Sequence, residues 1–332
     1  MAGASLLQAS LGLAAALSLN FFSIQHSAQA QNIPREKPMR PLGAAKSALV
    51  PFEISPFPYR GNVPADGKPF LDVENAGRLG HTSPRGGIYW EDQTYSDNRV
   101  LLHIPKGFDP RKPALIVVYF HGNMATLEHN VRRLQQIPRQ LAESGLNAVL
   151  VAPQLAVNAL DSSAGRFWEP GVFGQFMSEA AKHLTRLYGD ERAKQAFDNM
   201  PLVLVAYSGG YMPAVFAIHE GGVTHRLQGV ALMDALFGEM DKFAAWLATQ
   251  PSAFFLSAYT PSSRNENAEL QRLLTEQKVA FKTTTTPLLR SGDVSFLATG
   301  VEVSHIEFMT QAWVNDPLKF LLAKIKGYPR GR

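Results

Sequence analysis

Along most of the chain, short runs of apolar, often β-branched residues alternate with longer stretches whose apolar positions recur every three or four residues. The clearest run is Ala114-Leu115-Ile116-Val117-Val118-Tyr119-Phe120, seven residues without a polar break. A strand that is apolar on both faces is one buried on both faces, as in a parallel sheet covered by helices. Residues 126–144 place Leu127, Val131, Leu134 and Leu141 on one side of a helix, with Gly145 as its stop. The alternation continues with strands over 147–152, 202–207, 227–233 and 253–258. Between and after them, helices are predicted over 173–188, 210–219, 242–248 and 268–277. Shorter strands are expected earlier, at 87–90 and 99–104. Interleaving of this kind requires right-handed crossovers, so the pattern predicts an α/β chain with a mostly parallel central sheet. In such sheets functional groups gather at the carboxyl ends of the strands.

Two segments depart from the pattern. From Gln31 to about Phe70 stand Pro34, Pro38, Pro41, Pro51, Pro56, Pro58, Pro64 and Pro69, a density incompatible with helix or central strand. An extended arm is expected over 31–70, followed by the main domain over 71–332. Phe52, Phe57, Tyr59 and Phe70 suggest that the arm's second half packs on that domain. Residues 1–30 contain no Lys, Arg, Asp or Glu, hold an apolar core from Leu11 to Leu17, and end in Ala28-Gln29-Ala30. This reads as a secretion signal cleaved near Ala30, which would leave a secreted or periplasmic protein. The missing basic side chain keeps a membrane anchor or a cytosolic tail open as alternatives. Gln8, Ser10, Ser18 and Asn20 interrupt the stretch, which falls short of the ~20 apolar residues that span a bilayer. No stable span is therefore expected in the mature protein.

Composition narrows the chemistry. With 45% hydrophobic and 18% charged residues, the balance of the 332 residues is that of a globular chain. The net charge of +4 is spread along the sequence without a dense basic run, so no nucleic-acid surface is expected. There is no cysteine, which removes a thiolate nucleophile and most structural zinc sites.

The strongest chemical signal is Leu202-Val203-Leu204-Val205-Ala206-Tyr207-Ser208-Gly209-Gly210. A buried strand runs into a serine and then directly into a helix. Small residues two positions either side of Ser208 are a steric requirement of so tight a turn. The helix directs its first N–H groups toward the serine, and the Gly209 N–H can donate to a developing oxyanion. The same string also suits a serine that merely caps a helix.

The segment resembles the nucleophile turn of the α/β-hydrolase family, with Ala206 in place of that motif's first glycine. The resemblance implies a central sheet of about eight strands and a catalytic serine, histidine and acid in that fold. It also implies an oxyanion loop at the end of the strand over 114–120, where His121-Gly122-Asn123-Met124 stands. Backbone N–H groups near Asn123 or Met124 would supply the second oxyanion donor, and His121 would be structural. The catalytic histidine would be His305, in the loop Val301–Phe308 between a β-rich segment and the last helical stretch. Asp234, ending the strand over 227–233, is the candidate acid, with Glu266 as the fallback and helix capping as Asp234's plainer role. Asp161 to Gly174 is placed to overhang the site. No cofactor or metal is implied. The expected reaction is hydrolysis of a carboxylic ester on a small-molecule or acyl substrate. An amidase or peptidase, or a non-catalytic binding protein on the same scaffold, stays open, as does the oligomeric state.

Overall fold

The computed structural model describes residues 39–285 and 289–330. The secretion signal expected over 1–30 and the first residues of the arm lie outside them. The strands are β1 Lys46–Pro51, β2 Val73–Asn75, β3 Arg78–Thr82, β4 Ile88–Trp90, β5 Arg99–Ile104 and β6 Leu115–Phe120. They continue with β7 Ala148–Pro153, β8 Leu202–Tyr207, β9 Leu227–Met233, β10 Phe254–Tyr259, β11 Lys282–Thr283 and β12 Val294–Ala298. Nine of them form one sheet in the order β1-β5-β7-β6-β8-β9-β10-β12-β11, against the eight or so expected. From β7 to β11 every pairing is parallel, and β5 runs antiparallel to both its neighbours.

Helices cover both faces. They are α1 Glu91–Thr94, α2 Ile137–Glu143, α3 Val172–Tyr188, α4 Lys194–Asn199, α5 Tyr211–His219, α6 Met240–Thr249, α7 Arg264–Glu276 and α8 Pro317–Leu322. Alternation along β6 shows why its apolar run is unbroken. Ile116, Val118 and Phe120 join the apolar cluster that includes Phe173, Phe216 and Phe243, from α3, α5 and α6. Leu115, Val117 and Tyr119 join the other, with Leu127, Leu141 and Leu318. Each face of the strand therefore has its own helical cover, which is the α/β layering that the sequence pattern predicts.

Three expectations change. The single helix predicted over 126–144 is instead a π-helical segment, Leu127–Leu134, followed by α2. Gln136 between them has φ 50°, in the left-handed region. Pro138 accounts for the break, because it lacks the N–H a continuing helix would need and so stands in the first turn of α2. The boundary drawn at residue 70 also falls inside the compact unit, which begins at Met39. Residues 46–51 are β1, an edge strand where proline is tolerated, and Phe52, Phe57 and Phe70 are buried. Finally, β2, β3 and β4 make a separate antiparallel sheet that the sequence pattern did not reveal. Among the described residues, no helix is long and apolar enough to cross a membrane.

Phe70 joins these parts. Its ring lies 5.0 Å from that of Tyr95, 5.8 Å from those of Phe57 and Trp168, and stacks at 4.2 Å on His81. Removing so buried an aromatic leaves a cavity bounded by four segments of chain. Phe70→Ala is expected to lower unfolding stability by about 3–5 kcal/mol, read from the midpoint of chemical denaturation. A loss below about 1 kcal/mol would show that residues 39–70 are an accessory to the fold rather than part of its core.

Candidate active site

The turn after β8 has the geometry its residues require. Ser208 has φ 52°, a conformation unfavourable for a side chain with a Cβ and sustained only where the surroundings enforce it. The enforcement is steric. A Cβ on Gly210 would lie 2.3 Å from the Phe120 carbonyl oxygen, so β6 and the start of the helix approach as closely as backbones can. Strand β8 ends at Tyr207, and a 3₁₀ turn over Ser208–Gly210 leads straight into α5. The side chain of Ser208 is thereby presented at the carboxyl edge of the sheet.

Two distant residues meet it there. The Oγ of Ser208 lies 2.9 Å from Nε2 of His305, whose Nδ1 lies 2.7 Å from Oδ2 of Asp234. His305 stands on a loop without regular structure, held by contacts to its ring and backbone. Tyr207 stacks on the imidazole at 5.3 Å, Phe237 meets it edge-on at 5.8 Å, and the Tyr207 hydroxyl donates to the His305 carbonyl at 2.8 Å. Burial, with the charge of Asp234 adding, pushes the Tyr207 phenol well up, so it stays a donor.

Asp234 is fully buried, also at positive φ, and its carboxylate is surrounded by donors. The Thr260 N–H and Ser263 hydroxyl donate to Oδ1 at 3.0 and 2.9 Å, and the Thr260 hydroxyl donates to Oδ2 at 2.7 Å. Burial alone would raise its pKa. The hydrogen bonds from His305, Thr260 and Ser263 outweigh that and hold the carboxyl below the usual range. The stability this confers is present above the ordinary carboxylate range and is lost as pH falls through the lowered value. Asp234 does not cap a helix, since α6 begins only at Met240. Glu266, the fallback acid, sits in the first turn of α7 and makes no bond to His305. A buried carboxylate needs its donors close by, and Thr260, Ser262 and Ser263 at the end of β10 provide them for Asp234. Those three hydroxyls, just after the end of β10, are the signal that sequence reasoning missed.

The loop after β6 packs directly on the serine. A Cβ on Gly122 would lie 2.7 Å from the Ser208 Cβ. His121 is buried and supports this loop from beneath. Its Nδ1 faces the Gly122 carbonyl at 2.8 Å, while Nε2 accepts from the Leu155 N–H at 3.0 Å and lies 2.9 Å from the Gln154 amide. These partners fix a neutral ring with the proton on Nδ1. Burial, opposed by the bond to Gly122, lowers its pKa to about 4. Of the two expected backbone donors, Met124 is excluded, because its N–H donates to the Ala159 carbonyl at 2.9 Å. No hydrogen bond within the described residues occupies the Asn123 N–H, and the Gly209 N–H sits at a helix start where donors lack an internal partner. The Asn123 side chain accepts from the Ser162 hydroxyl at 3.1 Å and lies over Gly209.

Ser208 and His305 open into a cleft of about 710 Å³ whose lining includes Asn123, Met124, Leu134, Leu160 and Ile306. Met124, Leu134, Leu160 and Ile306 are four of the six large apolar side chains exposed on the described surface. From the segment Asp161–Gly174, Phe167 and Trp168 turn inward, and Asp161 accepts from the Tyr95 hydroxyl, so those residues brace the wall instead of lining it. Among the described residues, no group of three or more His, Cys, Asp or Glu side chains is placed to hold a metal ion.

No protein-family model matches the chain, and no curated protein matches it in sequence. Several solved structures are similar in shape. An S-formylglutathione hydrolase from Agrobacterium tumefaciens matches at a TM-score of 0.43 and 11% identity, over 78% of this chain and 98% of that one. The feruloyl esterase module from Clostridium thermocellum gives 0.42 and 11%, over 88% and 96%. An esterase from Pyrobaculum calidifontis gives 0.42 and 14%, over 86% of each chain. At such scores the functional reading rests on this chain's own side chains.

Two outcomes are expected from the loop. In Gly122→Ala the added methyl must displace Ser208 or the loop, so any turnover that depends on Ser208 should fall at least ~10²-fold with the fold intact by circular dichroism. Unaltered turnover would mean that the close approach is slack. For His121, nitrogen NMR should show the proton on Nδ1 and no titration between about pH 8 and 5, given the pKa near 4. Because that value lies below the free histidine's ~6.5, the associated stability is complete above about pH 6.5 and declines as pH falls toward 4. A titration midpoint near 6.5 would contradict the buried, neutral assignment.

Proposed function

We propose that the chain is a serine hydrolase of carboxylic esters. The observation that carries this reading is the unbroken hydrogen-bonded line from Asp234 through His305 to Ser208, opening on an apolar cleft beside two unoccupied backbone N–H groups. In this reading Ser208 Oγ attacks the ester carbonyl carbon while His305 Nε2 takes the hydroxyl proton. The carbonyl oxygen becomes an oxyanion that accepts from the N–H groups of Gly209 and Asn123. His305 then returns the proton to the alkoxide oxygen as the ester C–O bond breaks, which leaves the acyl group on Ser208. Water, deprotonated by His305 in the same manner, attacks the acyl carbon, releases the acid and restores Ser208. Asp234 stays ionised throughout and holds the imidazole with its Nδ1 proton inward.

The apolar side chains around the mouth favour an ester with an apolar acyl or alcohol arm. Export after cleavage near Ala30, expected from residues 1–30, belongs to the same proposal, with the catalytic unit taken from Met39 onward.

A fluorophosphonate probe should label the wild-type protein and leave Ser208→Ala unlabelled, and Ser208→Ala should lose at least ~10⁴-fold in kcat on 4-nitrophenyl hexanoate. A wild-type protein that neither labels nor turns over any ester in a chain-length panel would end the hydrolase reading.

A further inference from the structure

The turn between β3 and β4 of the small sheet contributes Arg85 to the cleft lining, and nothing in the proposed reaction uses it. This turn, Ser83-Pro84-Arg85-Gly86-Gly87, is closed by the Gly86 N–H to the Ser83 carbonyl at 2.9 Å and the Ser83 N–H to the Gly87 carbonyl at 3.0 Å. The Arg85 N–H donates to the Ser83 hydroxyl at 3.2 Å. That hydroxyl donates in turn to the Leu160 carbonyl at 2.6 Å, while the Leu160 N–H donates to the Tyr89 hydroxyl at 3.1 Å. The turn is thus closed on itself and fastened to the loop that follows β7. It places Arg85 on the cleft lining beside Ser208 and His305.

The Arg85 side chain lies over the ring of Phe237, with 5.8 Å between the guanidinium carbon and the ring centre. Phe237 is the ring that meets His305 edge-on. One aromatic ring therefore separates the guanidinium from the imidazole. Among the described residues Arg85 has no carboxylate within ion-pair distance, whereas Arg78 on the same small sheet holds Asp92 at 2.7 Å. Arg85 is exposed, and a planar guanidinium backed by an aromatic face is suited to grip a carboxylate with two parallel hydrogen bonds. Glu307, the one carboxylate lining the cleft, stands two residues beyond His305 on another segment and disfavours an anion on its own side.

We propose that Arg85 is a specificity residue that recognises a carboxylate on the substrate, so that the preferred esters carry an anionic group at the part of the cleft lined by Arg85. This rests on the hydrolase reading above. The test compares matched esters with and without a carboxylate, on either side of the scissile bond. Mono-4-nitrophenyl adipate is set against 4-nitrophenyl hexanoate, and 4-carboxyphenyl hexanoate against phenyl hexanoate. The wild type should show a higher kcat/KM for the carboxylate-bearing member of at least one pair. In Arg85→Ala the ratio of charged to neutral kcat/KM should fall at least tenfold, in Arg85→Glu further, and Arg85→Lys should keep part of it. Raising salt to 0.5 M should erode the wild-type ratio and leave that of Arg85→Ala unmoved. A ratio that Arg85→Ala and Arg85→Glu leave unchanged, with neutral esters still hydrolysed, overturns the role of Arg85 alone. Failure of the wild type to hydrolyse any of the four overturns it together with the reading on which it rests.

Discussion

A carboxylate removed from water is unfavourable by several kcal/mol unless its lone pairs find donors, and Asp234 is fully buried. Its donors come from separate parts of the chain. Thr260 and Ser263 follow β10, and His305 stands on the loop after β12. Satisfying this one group therefore fixes how the end of β9, the end of β10 and the His305 loop sit together. A hydrogen bond to a charged group contributes about 1.5–3 kcal/mol, so the set is strong enough to hold a loop that has no regular structure of its own. The loop is pinned elsewhere too, by the burial of Phe308 and Met309 and by the Gln140 amide donating to the Met309 carbonyl at 2.6 Å. The imidazole is held between a buried anion and a serine hydroxyl as a consequence of packing.

The serine side of the site uses a different device. Here the constraint is backbone crowding. Gly122 against Ser208, and Gly210 against Phe120, bring two strand ends to distances at which no side chain fits. Crowding of this kind keeps Ser208 at positive φ, and His121 keeps the crowd from relaxing. Its ring binds the Gly122 carbonyl on one side and the backbone after β7 on the other, so the ends of two neighbouring strands, β6 and β7, share one buried neutral group. Charging that ring would leave the Leu155 N–H without an acceptor. The depressed pKa and the rigidity of the loop are therefore two aspects of one arrangement.

How legible each part was follows from how local its cause is. The turn at Ser208 and the His-Gly pair after β6 are steric motifs written in a few consecutive residues, and both stand where the sequence placed them. The buried strands were equally plain, because a run such as Leu115–Phe120 has no other comfortable environment. The choice between Asp234 and Glu266 was not local, since it depends on hydroxyls some 26 residues or more away in the chain. Met124 was offered as a backbone donor on position alone, and only the fold reveals that the Ala159 carbonyl occupies its N–H. The strand Val73–Asn75 is too short to show a period, Ile88–Trp90 was expected as a strand but without its partners, and the prolines around Lys46–Pro51 hid an edge strand that tolerates them.

The illegible parts are also those that shape the cleft. The β3–β4 turn can hold Arg85 rigidly on the cleft lining only if something joins the small sheet to the main one. Phe70 does so from within, through its contacts with Tyr95 and Trp168, and Leu160 does so at the rim, through both of its backbone groups. The Tyr95 hydroxyl donates to Asp161, which also accepts from the Ser163 hydroxyl, and Ser162 between them reaches the Asn123 side chain over Gly209. Hydrogen bonds therefore run from the core beneath the small sheet to the Asn123 side chain over Gly209. A small sheet joined in this way does not act as a loose flap. Its turn is fastened by the same contacts that stabilise the fold, so Arg85 on that turn has a fixed place on the lining it shares with Ser208.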